Sequence, residues 1–509
     1  MRKFLFIIVV VLSFLLILLY FGSFLFPKVI IIEKEGNKPL SHSSTSDILK
    51  ENIGARFAHA LCSSRNPRFL AFSGFTSLSQ RACFPTRGNT QFPRPPSAFI
   101  GIEIPIKEKH TYLKLFEEKR EEFISWQIDF LEIDLSQMKI TLYQKGIPQK
   151  EVAILTKGDP QGWGGSAVGL YRVVSGNKVS YSRVSNVYMP YALKYYGKYY
   201  LHGEPYYSWG EKLISSVSGG CLRLADKDAK TIYESVEIDM PVLVIDKTRD
   251  IYDYSNEELI EFPEVSAQSY LVADLDSGYV FAEKDSQKQL PIASLTKLMT
   301  ALVVAENVDL RKSILVTEKM LEIYGSTKGL TKGKRFRIVE LFYPLLIESS
   351  NDAAEVLSYF LGREKTIKLM NEKAKAILME KTEFVDPSGF DPRNISTAQD
   401  LFYLARYLLN NRPPILEITK GEKVPSFGKI KFEIKKLKNK NVFIKDPDFG
   451  GGKTGFIRAS KYTGLFIFRL AVGDDIERKI VIILLGSEDI KTDTQKIYKW
   501  LQENYSKTS

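Results

Sequence analysis

An uncharged run of 23 residues, Phe4 to Phe26, is the strongest constraint on this chain. As a helix it spans about 34 Å, enough to cross the hydrocarbon core of a bilayer. Beyond Ser13, Ser23 and Tyr20 it carries no polar side chain, so a soluble helix would have no face to turn to water. Arg2 and Lys3 precede it, which sets that end inside. Leu25-Phe26-Pro27-Lys28 offers no small-residue cleavage site. The run predicts a single-pass signal anchor at residues 4–26 with a cytoplasmic tip at 1–3. The remainder is expected on the extracytoplasmic side of the cell membrane.

That remainder is too long for one ordinary core, and two or three domains are expected. Hydrophobic content of 44% beside 26% charged residues is that of globular protein. The formal charge of +11 attracts anionic surfaces without naming one. There is no zinc-finger spacing, RNP motif or basic recognition helix, so nucleic acid is not an expected partner. Three cysteines are too few for a disulfide scaffold. Cys62 and Cys83 can pair in an oxidising compartment, which leaves Cys221 as the odd thiol. Four histidines and no cysteine cluster leave no expected metal site, and no cofactor is implied.

Texture divides the chain. From Glu51 to Ile106 there are six arginines and no lysine, and Ser, Phe and Pro dominate. Residues 27–127 are expected to be a largely disordered linker, although Lys107 to Phe123 has a helix-compatible pattern. Residues 128–247 alternate with period two and are punctuated by glycines, which predicts a β-rich domain. A polar linker is expected over 248–264. Residues 265–505 read as α/β (α+β). Asp276-Ser277-Gly278 turns a hairpin, long helical patterns follow, and two alternating segments precede a last helix, Thr492 to Tyr505. The basic stretch Lys429 to Lys445 reads as a solvated hairpin.

Past residue 110 the only histidine is His202 and the only cysteine is Cys221. A thiol near pKa ~8.5 needs a base beside it to act as a nucleophile at neutral pH, and His202 is the imidazole available. Gly219 and Gly220 allow a tight turn in which N–H groups at Gly220 and Cys221 face a developing oxyanion. Arg223 is spaced to hold a carboxylate. A buried structural cysteine with an unrelated histidine is the competing reading.

After Cys221 there is no histidine at all, so a second hydrolytic site must use lysine. Ser294-Leu-Thr-Lys297 sets a hydroxyl and an amine one helical turn apart, and burial can lower the amine enough to make it a base. The spacing alone says little, since Ser136/Lys139, Ser175/Lys178 and Ser426/Lys429 repeat it. Order and company single out Ser294: Ser349-Ser-Asn351 follows, then Lys453-Thr454-Gly455 in a glycine-rich segment that suits an edge strand beside a substrate.

Two resemblances rest on these residues. Met189-Pro-Tyr191, Tyr199-Tyr-Leu-His202-Gly203 and Ser218-Gly-Gly-Cys221-Leu-Arg223 resemble the L,D-transpeptidase catalytic domain over about 128–247. That resemblance implies Cys221 as nucleophile, His202 as base oriented by the Gly203 carbonyl, and Ser218, Gly220 and Arg223 at the substrate. Gly219 stands where the family has a second histidine, and Ser166-Ala-Val-Gly169 replaces its Thr-Pro-x-Gly. Pro291 to Thr300, Glu348 to Asp352, Phe384-Val-Asp-Pro-Ser-Gly389 and Ser396-Thr-Ala-x-Asp400 resemble serine-type D-alanyl-D-alanine carboxypeptidases, which are penicillin-binding enzymes. That resemblance implies Ser294 as nucleophile and Lys297 as base. It further implies Ser349 and Asn351 for proton relay and amide binding, and Lys453, Thr454 and Gly455 at the terminal carboxylate. Ile457 departs from the family's threonine.

Together these imply a membrane-anchored peptidoglycan enzyme with two activities. One trims pentapeptide stems and the other uses the resulting tetrapeptides. β-Lactams would be inhibitors. A serine β-lactamase in the C-terminal half, or a non-catalytic wall-binding scaffold, are the rival expectations.

Overall fold

The structure is a computed structural model. It describes residues 112–246, 252, 254, 260–322, 330–424, 430–473 and 476–506. The expected tip and anchor, Cys62, Cys83 and the lysine-free stretch lie outside the described residues. Among the described residues no helix is long and apolar enough to cross a membrane.

The first helix, α1 (Tyr112–Ser125), corrects the expectation of a linker running to residue 127. Phe116 and Phe123, seven apart and therefore on one face, are both buried. The Phe123 ring lies 5.3 Å from that of Phe130. Apolar anchoring makes this segment part of the domain.

Then come β1 (Phe130–Asp134), β2 (Lys139–Gln144), β3 (Ile147–Ala153), β4 (Gly169–Arg172), β5 (Ser175–Ser182), β6 (Val187–Tyr196), β7 (Tyr199–His202) and β8 (Leu222–Arg223). Helix α2 (Asp226–Ser235) and strand β9 (Pro241–Ile245) complete this half. One sheet has the order β3-β2-β1-β9-β4 and a second the order β5-β6-β7-β8. The β1–β9 and β7–β8 pairs are parallel. The β1–β9 pair needs a crossover, which the intervening strands and α2 provide.

The second half opens with the expected hairpin, β10 (Ser269–Asp274) and β11 (Val280–Lys284). β12 (Leu290–Pro291), β13 (Ser313–Leu315), β14 (Arg335–Arg337) and β15 (Ile395–Ser396) form two small ladders, β12 with β15 and β13 with β14. Its helices are α3 (Thr296–Asn307), α4 (Ile338–Leu346), α5 (Asn351–Leu361), α6 (Arg363–Ala376), α7 (Ala398–Asn411) and α8 (Pro413–Lys420). Strands β16 (Phe449–Ile457), β17 (Lys461–Gly473) and β18 (Ile476–Ser487) join the hairpin in a sheet of order β11-β10-β18-β17-β16, and α9 (Ile490–Tyr505) follows. Antiparallel pairing puts β16 at the edge of this sheet.

Two expectations about connecting segments are revised. The described part of the basic stretch, 430–445, contains a short 3-10 turn at Ile434–Lys436 and no strand. Ile430, Phe432, Ile434 and Leu437 pack on the core instead of pairing across a hairpin. Within 248–264, Tyr254 is buried, and its hydroxyl donates to Asp274 Oδ2 at 2.8 Å. Trp500 Nε1 donates to the Ile260 carbonyl at 2.8 Å. These positions are pinned to the sheet and α9 by hydrogen bonds that polarity alone does not reveal.

The halves share one hydrophobic cluster, which includes Leu131, Tyr199 and Leu243 from the first and Leu298, Val304 and Leu404 from the second. Helix α3 is buried from Thr296 through Glu306, on every face. A charge therefore lies inside. Glu306 is fully buried and pairs with Lys373 at 2.9 Å and Arg412 at 2.8 Å, both also fully buried. Burial alone would raise the Glu306 carboxyl, but the two cations hold it below its ordinary value. The first half joins this cluster directly: the Tyr171 hydroxyl lies 2.7 Å from Lys373 Nζ, and Arg412 Nη2 donates to the Tyr199 hydroxyl.

Removing one member of a buried ion cluster strands the others, and costs about 3–5 kcal/mol. Glu306→Gln is expected to lower the urea midpoint accordingly. Since the core is shared, near- and far-ultraviolet signals should fall in one transition.

Candidate active sites

Cys221 stands one residue before β8. The parallel register pairs Leu201 with Leu222 and His202 with Arg223. Side chains alternate along strands, so Leu201 and Leu222 face the core while His202, Cys221 and Arg223 share the opposite face. His202 Nδ1 lies 2.6 Å from the Gly203 carbonyl. A carbonyl only accepts, so Nδ1 carries the proton and Nε2 keeps a lone pair. Burial lowers the imidazole to about 4. Burial also raises the Cys221 thiol, against a backbone hydrogen bond and the nearby Arg223 and Lys198. The resting pair is a neutral thiol and a neutral imidazole.

The turn before Cys221 is tightly specified. Gly220 has φ +115°, and a Cβ there would meet Tyr199 Cε1 at 2.2 Å. Ser218 Oγ donates to the Cys221 carbonyl at 2.5 Å and accepts from Gly220 N at 3.0 Å. This corrects the expectation that the Gly220 N–H faces an oxyanion: the Ser218 hydroxyl folds back and occupies it. Ser166 Oγ donates to the Gly220 carbonyl at 3.0 Å while accepting from Gly158 N at 2.9 Å. Arg223 is buried; its Nη1 donates to the Ser215 carbonyl at 3.4 Å, and its Nε has no hydrogen-bond partner. A Cβ at Gly219 would meet nothing within 4 Å, so space exists where the related family keeps its second histidine.

In the other half, Ser294 sits in the 3-10 turn Ala293–Leu295 that runs into α3. Lys297 Nζ lies 2.9 Å from Ser294 Oγ and donates to the Ser388 carbonyl at 2.5 Å. Burial lowers its amine to about 7, with Asp386 and Glu355 opposing. The Ser175/Lys178 spacing, by contrast, falls on strand β5, where positions three apart face opposite sides. Ser136 precedes β2 and bonds Asp134, and 426–429 lie outside the described residues.

Strand β16 brings the third motif alongside. A Cβ on Gly455 would lie 2.7 Å from Ser294 N, so only glycine lets the strand pass this close. Lys453 Nζ donates to Ser349 Oγ at 2.9 Å and to the Thr454 carbonyl at 2.7 Å. Burial holds the Lys453 amine well below its ordinary value, and Lys297 adds repulsion. Thr454 Oγ1 donates to the Lys440 carbonyl at 3.2 Å. Asn351 begins α5, and the helix cap is Ser350, whose hydroxyl accepts from Ala353 N at 3.0 Å. Ser349 is thus spared capping, and it holds φ +59°. Ala293 likewise has φ +47°. Such non-glycine conformations persist where surrounding contacts enforce them. Ile457 ends β16 opposite Lys461, its N–H donating to Ser460 Oγ at 3.2 Å.

Sequence reasoning missed the residues that hold these groups. Asp386 Oδ1 accepts from Ser388 N at 2.6 Å and Gly389 N at 2.7 Å, which aims the Ser388 carbonyl at Lys297. Asn394 Nδ2 ties that loop to α3, bonding Thr296 Oγ1 at 3.1 Å and the Asp386 carbonyl at 2.9 Å. An Asp-Pro-Ser-Gly turn signal was visible, but not its target.

A family model described as D-alanyl-D-alanine carboxypeptidase matches residues 256–481, and one described as L,D-transpeptidase catalytic domain matches 128–244. A D-alanyl-D-alanine carboxypeptidase of Mycobacterium tuberculosis is 31% identical over 230 residues, spanning 44% of this chain and 77% of that protein. A D-alanyl-D-alanine endopeptidase of Haemophilus influenzae is 38% identical over 207 residues, spanning 40% and 70%. Among solved structures, a D-alanyl-D-alanine carboxypeptidase from Mycobacterium tuberculosis aligns with TM-score 0.42 at 28% identity, over 48% of this chain and 94% of that one.

Lys297 can take a proton only while uncharged, and below about 7 its amine is occupied. Acylation of Ser294 is therefore expected to rise with pH through about 7 and to fall roughly tenfold per unit on the acid side. The rate of covalent labelling by a penicillin across that range checks it.

Proposed function

We infer that this chain, which belongs to the D-alanyl-D-alanine carboxypeptidase family and carries an L,D-transpeptidase catalytic domain ahead of that match, runs two acyl transfers on peptidoglycan stem peptides. In this reading Ser294 is the nucleophile of a D,D-carboxypeptidase. Its Oγ attacks the carbonyl between the two terminal D-alanines of a pentapeptide while its proton passes to Lys297 Nζ. The C–N bond breaks, D-Ala leaves as the amine with a proton relayed through Ser349, and water hydrolyses the ester. Asn351 binds the substrate amide, and Gly455 keeps β16 close enough to pair with the substrate backbone.

Lys453 and Thr454 receive the terminal carboxylate. The Lys453 amine is held low by burial and by the cations Lys297 and Lys440. An arriving carboxylate favours its charged form, so binding and proton uptake go together. β-Lactams act on the same serine as acylating inhibitors.

The cysteine half uses the tetrapeptide product. Cys221 Sγ attacks the carbonyl preceding the terminal D-Ala as His202 Nε2 takes the thiol proton, and D-Ala is expelled. The thioester then passes to an amine on a neighbouring stem. Arg223 holds a substrate carboxylate, and the Ser218–Gly220 turn shapes the acyl pocket. The run Phe4–Phe26 tethers both activities to the outer face of the cell membrane. On one tether, the product of the serine site is released close to the site that consumes it.

The observation that carries the reading is the buried lysine amine 2.9 Å from Ser294 Oγ. It supports serine acyl chemistry without histidine, in a chain whose one late histidine lies in the cysteine half. The Haemophilus relative favours a second reading of the serine site, cleavage of a D-alanyl bond within a cross-linked peptide.

Assays of the ectodomain should separate these. Cys221→Ala is expected to lose D-Ala release from tetrapeptide by at least about 10³-fold while keeping the pentapeptide reaction, and Ser294→Ala the reverse. If both reactions survive Ser294→Ala, the assignment of the serine site fails. Cleavage of a cross-linked dimer faster than pentapeptide trimming would favour the endopeptidase reading.

A further inference from the structure

The Gly220 turn rests on two supports, and both lead to one side chain of the other half. The first is the Tyr199 ring, so close that Gly220 has no room for a Cβ. The Tyr199 hydroxyl accepts from Arg412 Nη2, and the guanidinium carbon lies 5.5 Å from the Tyr199 ring centroid. The second is the segment around Ser166, which bonds the Gly220 carbonyl. A Cβ on its neighbour Gly165 would lie 2.7 Å from Arg412 Nη1. Arg412 follows α7 immediately and is fully buried. It is held by its 2.8 Å pair with Glu306.

Glu306 lies in the last turn of α3, the helix whose first turn carries Lys297. The β6–β7 turn meets the same helix end. Lys198 Nζ donates to the Ala305 carbonyl at 2.8 Å, where a cation also complements the helix dipole. The Lys198 carbonyl in turn lies 3.8 Å from Cys221 Sγ.

We propose that Arg412 and Glu306 are positioning residues for the cysteine site, holding the Tyr199 ring and the Gly165–Ser166 segment that shape the turn before Cys221. The carboxypeptidase half then completes the geometry of the transpeptidase half, and neither residue touches substrate. This rests on the reading of Cys221 as a nucleophile. Its physical basis is that a turn built on one buried ring keeps its shape only while the ring is fixed. Arg412 supplies that fixing because its charge is balanced by Glu306 rather than by solvent.

The test uses the intact chain and three readouts: D-Ala release from a tetrapeptide, labelling of Ser294 by a fluorescent penicillin, and alkylation of Cys221 by iodoacetamide followed on its own peptide by mass spectrometry. Arg412→Met and Tyr199→Phe are each expected to lower kcat for the tetrapeptide roughly tenfold, with KM within about twofold. Cys221 alkylation should become several-fold faster as the turn loosens, and Ser294 labelling should be unchanged. The double variant should be no worse than the more impaired single one, since both cut one path.

Unchanged kcat and alkylation in Tyr199→Phe would overturn the proposal. So would loss of Ser294 labelling in step with tetrapeptide activity, the mark of general unfolding. If Arg412→Met does not fold, Tyr199→Phe decides, because it removes a single hydroxyl. If the wild-type chain releases no D-Ala from tetrapeptide, the reading of Cys221 fails separately, and alkylation alone judges the positioning role.

Discussion

A carboxylate without access to water organises this molecule. Glu306 sits in a helix buried on all sides, and its charge is tolerable only because Lys373 and Arg412 lie within 3 Å and tyrosines from both halves close around them. An isolated ion at that depth would cost far more than any contact could return, whereas a paired and hydrogen-bonded one can persist. Such a cluster is demanding about geometry in a way that apolar packing is not. Leucines tolerate small shifts; a guanidinium with a carboxylate and a phenol does not. The junction is therefore specified as well as stabilised, and both candidate sites hang from it by α3 and by the β6–β7 turn.

Burial serves the two sites by the same physics with different results. Charged forms are disfavoured in both places. For Lys297 this lowers the amine to about 7, within 2.9 Å of the Ser294 hydroxyl. For Cys221 and His202 burial favours the neutral thiol and the neutral imidazole. The nearby Arg223 and Lys198 favour the thiolate, but burial outweighs them. The serine half holds the Lys297 amine with a backbone carbonyl positioned by Asp386, and the cysteine half holds its imidazole with the Gly203 carbonyl. In each case a fixed backbone dipole sets the direction.

The chain's local text accounts for much of this. Ser294 and Lys297 meet because three residues make a helical turn, and His202 and Cys221 share a face because strands alternate. Gly455 and Gly220 mark places where a second backbone or a ring passes within reach of a missing Cβ. The structure departs from that text where a contact is not implied by spacing or polarity. Helix α1 has a helix-compatible pattern, but only the burial of Phe116 and Phe123 makes it part of the domain rather than of the linker. The basic stretch after 429 alternates like a hairpin, yet its apolar residues pack on the core. The glycines before Cys221 suit an oxyanion turn, yet the Ser218 hydroxyl folds back on the Gly220 N–H.

What the sequence determined by itself is therefore which reactive groups can meet: a cysteine with one histidine, a serine with a lysine, and the glycines that permit each turn. What only the tertiary structure decided is how those groups are tuned and joined. The lowering of Lys297 and the neutral state of His202 depend on burial, and the path from Glu306 through Arg412 to Tyr199 joins residues roughly a hundred or more positions apart. Local propensity is blind to such neighbours, because desolvation and ion pairing are properties of the packed interior and exist only once the two halves have closed around it.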